Sequence, residues 1–118
     1  MIHIKSRPYI IKIFHQESGK APYSEWIRTL DDSVRARVAA RIARFEDGHF
    51  GDYKAVGDGV LEARFFFGSG HRVYFSVHGD EIILLLNGGD KSTQADDIEK
   101  AKELLKTYLE DQDANKKQ

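Results

Sequence analysis

The chain has 118 residues, with 18 basic and 19 acidic side chains, five histidines and no cysteine, for a formal net charge of −1. One core-bearing domain is expected, since domains usually run to about 100–150 residues. The missing cysteines exclude a disulfide framework and a cysteine-ligated zinc. No signal peptide opens the chain, and its longest apolar run, Ile82 to Leu86, is far too short for a bilayer. A cytoplasmic protein with no membrane partner is therefore expected.

In chain order, Pro8 to Gln16 is rich in β-branched and aromatic residues and reads as a first strand. Ala21 to Leu30 reads as a short helix, with Pro22 in a first turn where its missing N–H would be unpaired anyway. Asp31, Asp32 and Ser33 offer cap oxygens to a second helix. Its Val34, Val38, Ile42 and Phe45 form one buried stripe, while Arg37, Arg41 and Arg44 line another face. Gly48 suits a left-handed cap, and a polar loop follows.

Val60 to Phe67, Gly68-Ser69-Gly70 and His71 to Val77 carry a hairpin signal. Glu81 to Asn87 is a nearly continuous apolar run, as in a strand buried on both faces. Gln94 to about Leu109 places Ile98, Ala101, Leu105 and Tyr108 on one face of a last helix. The expected order is β-α-α-β-β-β-α. It predicts an α+β domain over residues 1–110, with helices packed on one face of a small, mostly antiparallel sheet. Residues 111–118 are expected to form a flexible polar tail.

A mean charge near zero argues against nucleic acid only if the charge is evenly spread. It is not. Residues 1–54 carry ten basic and seven acidic side chains, and residues 92–118 carry five and seven. Strand alternation places Leu61, Ala63, Phe65 and Phe67 on one face of the hairpin with Val73, Phe75 and Val77. Arg64, Arg72 and Tyr74 share the other face, which Lys91 can approach from the end of the next strand. Three cations and a phenol on one surface suit a phosphate backbone, because arginine offers a fixed fork of donors to phosphate oxygens. The same alternation is also that of solvated side chains on an open antiparallel face, with Glu62 paired to an arginine. Alternation alone leaves both readings open.

Other constellations point elsewhere or nowhere. Gly88 to Thr93 lacks the spacing of a nucleotide phosphate loop. His3, His15, His49, His71 and His78 show no metal-ligand spacing, and no nucleophile-elbow motif is present. Trp26 reads as a core anchor. The arginine row of the second helix is either a solvated face or a contact for ribosomal RNA phosphates.

An ordered set of residues runs through almost the whole chain. It comprises Trp26 with Leu30-Asp31, Arg44-Phe45 leading to Gly48, and Gly51-Asp52-Tyr53-Lys54 through Gly59-Val60. Glu62-Ala63-Arg64, Gly70 to Phe75, and Leu85 through Gly89-Asp90-Lys91-Ser92-Thr93-Gln94 follow, closed by Asp97-Ile98 and Ala101. In this set the chain resembles the RelE/ParE-superfamily toxins of bacterial type II toxin–antitoxin systems, in the HigB-like branch of phage-derived addiction-module killer proteins. The resemblance implies an mRNA endoribonuclease that works in the ribosomal A site without a metal or other cofactor. It assigns the catalytic positions to Arg64, Arg72 and Lys91, and it implies RNA contacts at Lys54, His71 and Tyr74. Relatives with a catalytic tyrosine near the chain's end have Asp96-Asp97 in that region here, so the general acid and base stay unassigned. The partners implied are a helix-turn-helix antitoxin, mRNA on the ribosome and ribosomal RNA. Relatives that inhibit DNA gyrase generally lack this basic set, and a non-catalytic antitoxin-binding module is the third reading.

Overall fold

A computed structural model describes residues 8–116. Its strands are β1 (Ile10–Ile13), β2 (Tyr53–Gly57), β3 (Val60–Arg64), β4 (Arg72–His78) and β5 (Ile82–Gly89). Its α-helices are α1 (Pro22–Arg28) and α2 (Asp32–Phe45), both between β1 and β2, and α3 (Gln94–Lys116) after β5. A 3₁₀ turn, Lys91–Thr93, joins β5 to α3. The strands form one sheet in the order β1-β5-β4-β3-β2. β2, β3, β4 and β5 pair antiparallel in succession, whereas β1 lies parallel to β5 with Ile10 opposite Ile82. The sheet is therefore mixed rather than mostly antiparallel. The chain from β1 to β5 passes through two helices and three strands, and so brings β1 in beside β5 with the same direction.

A strand also stands where a polar loop is expected. β2 is an edge strand whose residues are mostly exposed, so it carries little hydrophobic alternation. Its signal is the turn. Asp58 (φ 55°) and Gly59 (φ 84°) both adopt the left-handed conformation that a tight two-residue hairpin requires. Asp31 stands at the N-cap of α2 as expected, but its side chain makes no capping hydrogen bond.

The helices do not share one face. Tyr23 of α1 and Val38, Ile42 and Phe45 of α2 pack with Ala63, Phe65, Val73, Phe75, Ile83 and Leu85. Ala101, Leu104 and Leu105 of α3 pack with Val60, Tyr74, Leu84 and Leu86, and with Phe14 just after β1. Successive strand residues point to opposite faces, so α3 covers the face that was expected to be open. The apolar run of β5 supplies both layers, which is why it lacks polar alternation. Helix α3 continues through Lys116, past the expected start of the tail at Asp111, and residues 111–115 are exposed. Residues 117 and 118 of that expected tail lie outside the described residues, as do residues 1–7. No helix among the described residues is long and apolar enough to cross a membrane.

The register of β5 shifts once. Tyr74 pairs with Asn87 but Phe75 with Leu85, which leaves Leu86 as a bulge. The bulge places Gly88 opposite Val73 and Gly89 opposite Arg72. Gly88 then faces Trp26, whose ring carbons would lie 2.3–2.6 Å from any Cβ added there. Gly88→Ala is expected to cost about 1–3 kcal/mol through overpacking. A Gly88→Ala, Trp26→Ala double variant should be more stable than the sum of the two single losses, as read from denaturant midpoints in a double-mutant cycle.

Candidate functional site

Antiparallel pairing brings the end of β3, the start of β4 and the end of β5 to one edge of the molecule. Arg64 lies directly opposite Arg72, and Arg72 directly opposite Gly89. Like charges facing each other across strands are unfavourable, so each arginine needs a counter-charge. Arg64 Nε donates to Asp52 Oδ2 at 3.1 Å. Arg72 Nε lies 3.7 Å from Glu62 Oε2.

Glu62 is fully buried beneath this row. Its Oε2 accepts the Tyr74 hydroxyl at 3.1 Å and the Gln94 amide at 2.9 Å. Arg72 is almost as enclosed, its side chain 12% exposed, and its Nη1 donates to the Gly70 carbonyl at 2.7 Å. The guanidinium is thus held from below by a carboxylate and from the side by a carbonyl. No described residue accepts from its Nη2. A fixed, partly enclosed guanidinium of this kind matches the oxygens of a phosphate.

Lys91 reaches the same place from the 3₁₀ turn. A Cβ on Gly70 would lie 3.3 Å from Arg72 Nη1 and 3.5 Å from Lys91 Cβ, so both cationic side chains flank that glycine. Asp90 fixes the turn by accepting the Ser92 backbone N–H at 2.9 Å. The Ser92 hydroxyl also bonds to Asp90 and is the main cause holding its carboxyl below the ordinary range. Gly89 makes room for Asp97 in the first turn of α3. A Cβ on Gly89 would fall 1.8 Å from Asp97 Oδ2. Burial raises the Asp97 carboxyl above its usual range, although the Thr93 hydroxyl bonded to it acts the other way.

Of the residues named from the sequence, Arg64, Arg72 and Lys91 gather at this sheet end. Lys54 is exposed on the edge strand and pairs across to Glu62, which places it on the same sheet face as Arg64. Two expectations are corrected. Tyr74 is fully buried and its hydroxyl is committed to Glu62, so it cannot touch a strand at the surface. Burial first, and then Glu62, push its phenol well up, so it stays protonated. His71 is buried on the opposite side against Trp26 and Phe67, with ring centroids 6.3 and 5.7 Å away. It fills core space rather than the rim of the site.

Sequence reasoning left Asp52, Gln94 and Asp97 without a role and gave Glu62 only a generic ion pair. The Gly88-Gly89 pair inside a strand was the available signal for Asp97, since glycine there marks a close approach by other atoms.

Residues 25–110 match the model of the family described as "Phage derived protein Gp49-like (DUF891)". A Haemophilus influenzae protein described as an uncharacterized protein is 43% identical over 81 residues, covering 68% of this chain and 82% of its own length.

Tyr74→Phe leaves the buried Glu62 short of a donor and is expected to cost about 1–3 kcal/mol, read from urea denaturation. Asp97, with its folded-state value raised, binds more protons folded than unfolded just above the ordinary aspartate range. Its contribution to stability is therefore present at low pH and lost as pH rises through that raised value. Asp97→Asn should remove this component, seen as a smaller fall in melting temperature as pH rises above the ordinary aspartate range.

Proposed function

The chain belongs to the phage-derived Gp49-like family, which is associated with toxin–antitoxin modules; on that premise we propose that it is the toxin of such a module, a RelE-like endoribonuclease that cuts mRNA on the ribosome. The observation that carries this reading is the convergence of Arg72 and Lys91 on Gly70, with the Arg72 guanidinium fixed by the buried Glu62. In the proposed reaction the 2′-hydroxyl of the RNA attacks the adjacent phosphorus. The bond to the 5′-oxygen breaks, leaving a 2′,3′-cyclic phosphate and a 5′-hydroxyl. The proton lost from the 2′-oxygen is balanced by one gained at the 5′-oxygen.

Arg72 stabilises the charge that builds on the phosphate oxygens. Fixed donors of this kind are often the largest catalytic contribution, because they need no reorganisation as the charge develops. Lys91 assists the departing 5′-oxygen. Arg64 and Lys54 hold the neighbouring backbone, and Asp52 keeps Arg64 in place beside Arg72. Tyr74 acts one layer below, as a donor to the carboxylate that positions Arg72. An antitoxin is the expected protein partner.

Arg72→Ala is expected to lower the cleavage rate at least about 100-fold, the loss typical for removing one donor to a developing oxyanion. Lys91→Ala changes an exposed side chain and so separates lost chemistry from lost folding. Wild type and both variants would be induced in cells and mRNA 5′ ends mapped. New 5′ ends in the wild type alone support the reading. Growth arrest with intact mRNA overturns it, and DNA damage under that condition would identify a gyrase inhibitor.

A further inference from the structure

A second cationic surface adjoins the site and shares Arg64 with it. An open cleft of about 550 Å³ lies between α2 and the end of β3. Four arginines line it, Arg37, Arg41, Arg44 and Arg64, against one carboxylate, Asp52. Arg41 is structural. It donates to the carbonyls of Phe50, Asp52 and Arg64, and its guanidinium lies 4.4 Å above the Phe65 ring. Arg37 and Arg44 are exposed, with no carboxylate in ion-pair distance among the described residues. Arg37 lies 4.7 Å over the Phe67 ring. Phe66, in the turn of the β3–β4 hairpin, lines the same cleft and is 82% exposed. An exposed aromatic face in a cleft of guanidinium groups offers a stacking surface next to donors for phosphate.

Arg64 joins the two surfaces, since it lines this cleft and lies directly opposite Arg72. Arg64 thus connects the Arg72 and Lys91 pair at Gly70 to a cleft that Arg37, Arg44 and Phe66 also line. We propose that the cleft is a second contact site for single-stranded RNA, taking the strand as it leaves the phosphate held by Arg72 and Lys91. Arg37 and Arg44 bind backbone phosphates there, and Phe66 stacks an unpaired base. This proposal rests on the nuclease reading and adds where the flanking RNA goes. The chemistry favours RNA over an acidic protein segment because the cleft combines guanidinium groups with one exposed aromatic face, which suit phosphates and an unpaired base together. On α2, Arg37 and Arg44 are separated by about 10 Å of helix axis, so they meet different phosphates.

The test uses the full chain with fluorescein-labelled 2′-O-methyl oligoribonucleotides, which cannot be cleaved, 4 and 12 nucleotides long. Binding is read by fluorescence anisotropy across a salt series. The wild type should bind the 12-mer more tightly than the 4-mer. Phe66→Ala should weaken 12-mer binding about 10-fold, within the range for loss of one stacked base, and leave the 4-mer unchanged. An Arg37→Ala, Arg44→Ala double variant should flatten the salt dependence of 12-mer binding by about 1.4 in log–log slope. All three positions are at the surface, and circular dichroism would confirm folding. If RNA binds and Arg72→Ala weakens it while the cleft variants do not, the cleft proposal fails and the nuclease reading stands. If neither oligonucleotide binds the wild type at low salt, the cleft proposal fails, and the nuclease reading is decided separately by the 5′-end mapping in cells. An aspartate-rich peptide that displaces the 12-mer only from the cleft, at lower concentration than unlabelled RNA, would assign the surface to a protein instead.

Discussion

A carboxyl group placed in a dry interior is costly unless hydrogen-bonding and charged partners surround it. Through its Oε2, Glu62 on β3 is met by groups from two other elements, Tyr74 and Arg72 of β4 and Gln94 of α3. The knot sets the pairing of β3 with β4, fixes where α3 begins over the sheet, and holds Arg72 at the surface. Removing one member strands a charge, whereas a fully apolar replacement of the group would keep the fold without the oriented guanidinium. The interaction that closes the interior is thus the one that aims the site.

Two arginines in cross-strand register oppose folding unless each is neutralised. The two solutions differ in a way that fits different tasks. Arg64 pairs with Asp52, which is exposed and on a loop, so the pair is screened and can exchange partners. Arg72 pairs with a carboxylate that solvent does not reach, so its orientation is kept. The sheet end therefore presents one fixed cation beside one that can move.

The strands that form the core were legible because their patterns follow from burial. The run Ile82 to Leu86 is apolar throughout because both of its faces are covered, by α1 and α2 on one side and α3 on the other. That α3 lies opposite the other helices was not legible. Alternation at Glu62, Arg64, Arg72 and Tyr74 says that two faces exist, and not that both are covered. Tyr74 and His71 were misread for the same reason, since a polar tip on an aromatic body serves equally at a surface and in an interior with one partner. β2 was missed because an edge strand half in water has no strong pattern, even though Asp58-Gly59 announced its turn. Arg64, Arg72 and Lys91 were brought together by the pairing of strands that did show a pattern. The clasp below Arg72 depends on distances across three elements, which no spacing along the chain encodes.

Gly88 and Gly89 are consecutive and face opposite ways. One receives the Trp26 ring from the α1 side, and the other receives Asp97 and Thr93 from the α3 side. At this point the sheet is reduced to bare backbone, with Trp26 packed on one side and Asp97 and Thr93 on the other. A push on Trp26 is therefore passed through a single peptide plane to the strand residue that faces Arg72. A protein bound over α1 would therefore press, through Trp26, on the stretch of β5 whose next residue pairs with Arg72.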